Sequence, residues 1–380
     1  MSTIQANAIL DASGGNTTTI NGVTPTAYNT MGKNLIINGA MEIAQRGASS
    51  TSITGAGYFT VDRFHYQLAS LGTWTQTQDT SVPSGQGFAN SVKLQCTTAQ
   101  ASPASNAVCN MNYRLEGLSL QNLRKGTANA ESVTLSFWVK SNKTGTYTSE
   151  IVDTDNNRSI SKEYTISVAD TWEKKILTFA GDTTGTLDND NNQSFGLAFW
   201  LAAGSDRTSG TLQTTWGTVI TANRVSPSQV NLADSTSNYI NITGVQLEVG
   251  SVATEFERRP YGTELALCQR YYWKASDYTR NGAVEPICNI VFSSGTDLRG
   301  IIMFPVEMRA TPSLVSSSGA NHFRVYNGGS FAFTAVGTDF GSKYGFSFGS
   351  CTGISGATGG QGGILFTNAP GGSLAFNSEL

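Results

Sequence analysis

From Val133 to Lys140 the chain alternates: Val133, Leu135, Phe137 and Val139 share one face of an extended segment, and Thr134, Ser136, Trp138 and Lys140 share the other. A period of two marks a half-buried strand, here with the first set facing the core. The same reading of SFGLAFWLAAGS groups Phe195, Leu197, Phe199 and Leu201, and leaves Gly196, Ala198, Trp200 and Ala202 opposite. Further strands are expected at SVKLQC, YTSEIV, ISKEYTIS and KKILTFAG, spaced as in an antiparallel sandwich or jelly roll. In YINITGVQLEVGS the phase slips: Ile240 and Ile242 are even-numbered, whereas Val245, Leu247 and Val249 are odd, with Gly244 at the break. A bulge at Thr243 or Gly244 keeps both apolar sets on the core side.

Upstream, NLIINGAMEIAQRG reads as an apolar strand, a turn at NG and a second short strand, followed by the alternating GYFTVDRF. Residues 1–33 hold too few large apolar groups for a core and are expected to form an extended arm, ordered by pairing its backbone with another subunit. After Pro260 the pattern changes to Leu265, Cys268 and Tyr272 at i, i+3 and i+7, which predicts one helix over 261–275 with Thr263 as its cap. So short a helix needs tertiary packing, and these three residues are expected to serve as inter-domain packing that joins two β modules. Strands resume at AVEPICNIVFSS, LRGIIMFPVEM, SLVSSS, HFRVYNG, SFAFTAVG, KYGFSFGS and GGILFTNA, with SGATGGQGG as a flexible loop. The expected organisation is all-β: an arm over 1–33, a jelly-roll-like domain over 34–260, the helix over 261–275 and a smaller β-sandwich over 276–380.

Composition fits this picture. Charged residues are 13% of the chain and there are 41 glycines, against a usual charged fraction of roughly 25%. A net charge of −3 with no basic run suggests neither nucleic acid nor anionic lipid as partner, and no apolar run is long enough to span a bilayer. The start, MSTIQANAILDASGG, lacks the basic and apolar regions of a secretory signal. Cys96, Cys109, Cys268, Cys288 and Cys351 are scattered without a CxxC, so free thiols are expected rather than a zinc site; a Cys96–Cys109 bridge stays open. The two histidines, His65 and His322, lie far apart and no nucleophile or phosphate-loop motif is present, so no catalytic residue is assigned. Two acidic loops, Asp153–Ser159 and Leu187–Gln193, fail as EF-hands because Arg158 and Gln193 stand where the loop needs glycine; they are read as turns. Asp62-Arg63 and Arg258-Arg259 are expected to fix strand corners.

The order NLIINGAMEIAQRG, YFTVDRF, ITGVQLEVGSVATEFERRP, ELALCQRYYWK, FPVEMRATPS and FNSEL resembles tailed-bacteriophage fibre and tail-associated proteins, whose large domain is similar to a galactose-binding-like, carbohydrate-binding-module jelly roll. The resemblance implies a virion structural protein made in the bacterial cytoplasm, a homotrimer attached to another virion protein through its N-terminal arm, with host surface glycan as a partner. A head fibre or capsid-decorating protein without a receptor role is the alternative, and a glycan-cleaving tailspike a third. Such jelly rolls often hold a structural calcium near the first strand, where Glu42 stands here, but one residue does not assign a metal or any other cofactor. A sugar-binding face needs flat aromatic surface plus amides or hydroxyls. Trp138 and Trp200 are candidates because each sits on the otherwise small or polar face of its strand, and Trp74 because Gln76 and Gln78 flank it. Burial of the same rings beneath a loop, the helix or a neighbouring subunit is the competing reading.

Overall fold

A computed structural model describes residues 32–278, 282 and 284–380. The expected N-terminal arm therefore lies outside the described residues, apart from Gly32 and Lys33. The described chain divides into two compact units, one built from the residues up to Glu42 with Ala48–Arg259, the other from Ile43–Gly47 with Pro260–Leu380.

The first unit is a jelly-roll sandwich of two antiparallel six-stranded sheets. One runs β1 (Ser49–Ile53), β3 (Thr73–Asp79), β4 (Ser91–Thr98), β12 (Tyr239–Val249), β6 (Val133–Ser141), β9 (Glu173–Phe179). The other runs β11 (Gly217–Thr218), β8 (Arg158–Ile166), β7 (Gly145–Asp153), β10 (Gln193–Ala203), β5 (Val108–Glu116), β2 (Phe64–Ala69). The alternating apolar sets of β6 and β10 are buried in one core, where Phe137 meets Phe199 edge-on with ring centroids 5.0 Å apart. Between the pairs Thr243–Trp138 and Gln246–Ser136, β12 holds one residue more than β6. Gly244 takes the left-handed φ of 61° there, and Ile240, Ile242, Val245 and Leu247 all reach the core.

Asn34–Ile37 do not join a sheet as a strand. One backbone bond, Leu35 N to Leu247 O at 2.8 Å, is joined by the Asn34 side chain, whose amide donates to Val245 O at 3.2 Å and whose oxygen accepts from Ile36 N and Leu247 N. Glu257 accepts from Gly32 N and Asn34 N at 2.7 and 2.8 Å, and Arg259 donates to Ile36 O at 3.1 Å and to Asn34 O. The first and last segments of this unit are thus clamped together by side chains. The other arginines read as corner residues also donate to backbone carbonyls, Arg63 to Arg114 O and Arg258 to Gln86 O.

The second unit contains a seven-stranded sheet, β18 (Ser330–Phe333), β17 (Phe323–Tyr326), β21 (Gly362–Thr367), β14 (Glu285–Ser294), β15 (Asp297–Met303), β20 (Gly345–Thr352), β19 (Ala335–Gly341). A three-stranded sheet, β13 (Tyr272–Asp277), β22 (Ser373–Asn377), β16 (Ser313–Ser316), completes it. Phe376 of β22 packs against Trp273, Phe304 and Phe346 in its core. The helix α1 (Tyr261–Gln269) belongs to this unit.

The helix is shorter than the 261–275 expected. Tyr271, Tyr272 and Trp273 are aromatic and favour a pleated setting, and β13 pairs with β22 from Tyr272–Asn377 onward. Its start also differs: Pro260 stands at the cap with φ −54°, its carbonyl accepting from Thr263 N and Glu264 N, so Thr263 lies inside the first turn. Of the three residues assigned to helix packing, Cys268 is buried and Leu265 half-buried on α1, whereas Tyr272 is a strand residue with the Arg46 guanidinium 3.6 Å above its ring.

Candidate functional site

The face of β10 turned away from the core carries small residues at Gly196 and Ala198, and register surrounds them with polar groups. Gly196 pairs with Arg114 of β5 and Val152 of β7, Ala198 with Asn112 and Glu150, and Trp200 with Asn110 and Thr148. One strand further, Gln67 lies beside Asn110 and His65 beside Asn112 on β2. A low floor between taller side chains makes a groove of about 300 Å³. Gln67, Asn110, Asn112 and Arg114 line one flank, Val152 and Thr154 the other, and Gln193 stands near Gly196.

Trp200 closes the other end with Arg207 and Arg224. Its indole N–H donates to Glu150 Oε2 at 3.1 Å, and Arg224 forks onto the same carboxylate through Nε at 2.8 Å and Nη2 at 3.0 Å. The guanidinium also sits 5.6 Å from the Trp200 ring centre. Trp200 is 1% exposed, packed with Val108, Ala198 and Val225. The segment after β10 therefore covers the ring, and Trp200 is a wall rather than a stacking platform. Amides do the remaining work: Asn112 donates to Asn110 at 3.0 Å, and such side chains offer both donors and acceptors to a polyhydroxylated ligand.

Two groups at the groove are perturbed by burial and by its arginines. Burial lowers the pKa of Arg207, and the adjacent charge of Arg224 lowers it further. Burial also brings His65 down to about 4, with Arg114 pushing in the same direction, so its imidazole is neutral at physiological pH.

The other tryptophans fare differently. Trp74 is fully buried in the core, its indole donating to Leu71 O at 2.7 Å and its ring set edge-on to Tyr66, so it offers no face to a ligand. Trp138 is half-buried on the outer face of the opposite sheet and borders a hollow of about 220 Å³ with Phe88, Lys174, Phe256 and Arg258. There Phe88 and Phe256 meet at 5.1 Å and Arg258 lies 4.8 Å over Phe88. The structure does not bring the three tryptophans into one site.

The acidic turn at Asp153 has its own occupant. Lys125 Nζ lies 2.5 Å from Asp153 Oδ2 and 3.1 Å from Asp182 Oδ2, and donates to Thr184 O and Gly185 O at 2.8 Å each. An ammonium thus sits inside an oxygen cage, and Arg158 forks onto Asp182 from outside. Asp190 instead caps its own turn, accepting from Asn192 N at 2.8 Å. None of the five cysteines is in a disulfide; Cys109 Sγ is 2.9 Å from Tyr66 Oη, not bridged to Cys96.

The groove residues Gln67, Asn110, Asn112 and Arg114 were not among those expected, and β5 was not among the expected strands. Its signal is nevertheless in VCNMNYRLE, where Cys109, Met111, Tyr113 and Leu115 alternate with Asn110, Asn112 and Arg114.

No protein-family model and no curated protein matches the chain. Solved structures match part of it. The enzymatically active domain of tailspike protein 4 from bacteriophage CBA120 is similar over 57% of this chain and 21% of its own, at 17% identity and a TM-score of 0.30. A family 11 carbohydrate-binding module from Clostridium thermocellum, in complex with a β-1,3-1,4-mixed-linked tetrasaccharide, is similar over 55% of this chain and 98% of its own, at 10% identity and a TM-score of 0.28. TmCBM61, in complex with β-1,4-galactotriose, is similar over 57% of this chain and 99% of its own, at 10% identity and a TM-score of 0.28.

Proposed function

We propose that this chain is a structural protein of a tailed-bacteriophage virion, a tail-fibre or tail-tip component that binds host glycan in the groove over β10 without cleaving it. The groove carries the binding part of this reading: Gly196 and Ala198 leave room for a sugar ring, and Gln67, Asn110, Asn112 and Gln193 present planar amides to its hydroxyls. The virion role is supported by the ordered sequence motifs, several of which meet in the first unit: Asn34, Glu257 and Arg259, from segments far apart in the chain, form one clamp. The N-terminal arm would attach to another virion protein.

Homotrimerisation is part of the proposal. One row across the seven-stranded sheet places Phe340 beside Ser347, Ser347 beside Ile301, and Ile364 between Asn289 and Tyr326. Phe340 is 76% and Ile301 66% exposed. Four exposed apolar or aromatic groups in one row, interspersed with Ser347 and Asn289, suit a second copy of the same chain, since cyclic contacts bury them without leaving an open edge. Avidity from several grooves would then offset weak single-site affinity.

A glycan array probed with purified protein, together with imaging of the particle bearing a labelled copy, tests the reading. Binding without release of sugar products, and label at the tail, are the expected results. Label on the head would assign a fibre of the capsid, and product release would make the protein an enzyme.

A further inference from the structure

We infer that the glycan taken by the groove is anionic, carrying a carboxylate or phosphate on at least one sugar; the inference rests on the glycan-binding reading above. Among the described residues, the groove lining contains Arg114, Arg207 and Arg224 and no aspartate or glutamate. The whole chain has 24 lysines and arginines against 27 acids, so a lining with three guanidinium groups and no carboxylate departs from the composition of the chain. Two acids lie near. Glu150 is fully buried behind Trp200 and already takes both N–H groups of the Arg224 fork, and Asp206 is exposed beside Arg207.

Two titratable groups, His65 of β2 and Arg207 in the segment after β10, feel these arginines. After burial, Arg224 is the next cause lowering Arg207, with Asp206 and Glu150 acting against it, and Arg114 is the next lowering His65. A neutral sugar would leave that repulsion in place, whereas a bound anion would relieve it. Guanidinium also suits the task by shape, because its planar fork matches the two oxygens of a carboxylate or phosphate. The neighbouring amides then read the hydroxyls of the same sugar. Arg207 donates through Nη1 to Asn106 O at 3.1 Å, which restrains its plane.

The test uses the full chain on an array of oligosaccharides with neutral, uronate-bearing and phosphate-bearing members. The best binder is then titrated beside its uncharged counterpart, the carboxyl methyl ester or the dephosphorylated sugar, at about 50 mM and about 500 mM salt. Expected are array signals confined to anionic members, roughly a tenfold or greater loss of affinity on removing the charge, and weakening by salt. Arg207→Gln should reduce the ratio of affinities between the anionic ligand and its uncharged counterpart about tenfold. Arg114→Gln supplies the same comparison if the first variant does not fold. Uronates and phosphates on the array separate the two anion types. Equal binding of neutral and anionic members, or no effect of charge removal, would overturn the inference and leave the glycan reading standing. Binding to no member would overturn that reading and the inference with it.

Discussion

Lys125 is held by Asp153, Asp182 and two carbonyl oxygens in the interior of the first unit. Replacing it with Met keeps much of the stem and removes the charge. Asp182 retains Arg158, but Asp153, which is fully buried, loses its cation. The expected cost is about 3–5 kcal/mol, read as a lower urea midpoint with an unchanged slope. His65 gives a pH test. Its folded pKa of about 4 lies below the ordinary 6.5, so the unfolded chain binds the proton first as pH falls. The stability linked to His65 is complete above about pH 6.5 and is lost between there and about pH 4. Across that window the loss is roughly 3 kcal/mol at most. Urea titrations of His65→Gln at stepped pH should show a flatter profile through the same window. Asp182 acts in the same direction at lower pH: burial raises its pKa, but hydrogen bonds from Arg158 and Lys125 outweigh that and hold it below the usual carboxylate range.

Among the elements, β12 shows how far alternation can be read. The phase slip around Gly244 calls for a bulge, and one is there because both apolar sets must face the same core. A Cβ on Gly244 would stand 2.6 Å from the Phe88 ring, and the positive φ adds its own penalty. Gly244→Val should cost roughly 2–4 kcal/mol and lower the thermal midpoint. β6 and β10 were legible for the same reason as β12. The NLII segment was not, since an Asn side chain and a single backbone bond stand where an apolar run suggests a full ladder. Nor was β13: YYW continues the helical spacing of Leu265 and Cys268, and only pairing with β22 decides for a strand. Facing along a strand is a local property and can be read from the chain; what covers the outer face is not. Trp200 was placed on the outer face by its period, but Val225 and Arg224, which seal it, come from a distant loop with no periodicity of its own. The groove was missed because its residues come together only through pairing of β2, β5 and β10.

For the whole molecule, the exposed row from Phe340 to Tyr326 carries the proposed trimer. Light scattering on the parent should give three times the chain mass of 40.3 kDa. Ile301→Lys with Phe340→Glu should shift the protein toward monomers while the far-ultraviolet spectrum stays that of a strand-rich fold; a parent that is already monomeric would refute the assembly. Chain order matters at this scale too. Ile43–Gly47 belongs to the second unit although the first unit resumes at Ala48. Within it, Gln45 donates to Tyr272 O at 2.5 Å, and Arg46 meets Glu379 at 3.3 Å. A single crossover at Pro260 would therefore import a new Tyr272 and Glu379 while leaving the old Gln45 and Arg46 to receive them. Lineages that trade this half by recombination must carry along, or already share, a five-residue passport written more than two hundred residues upstream of it.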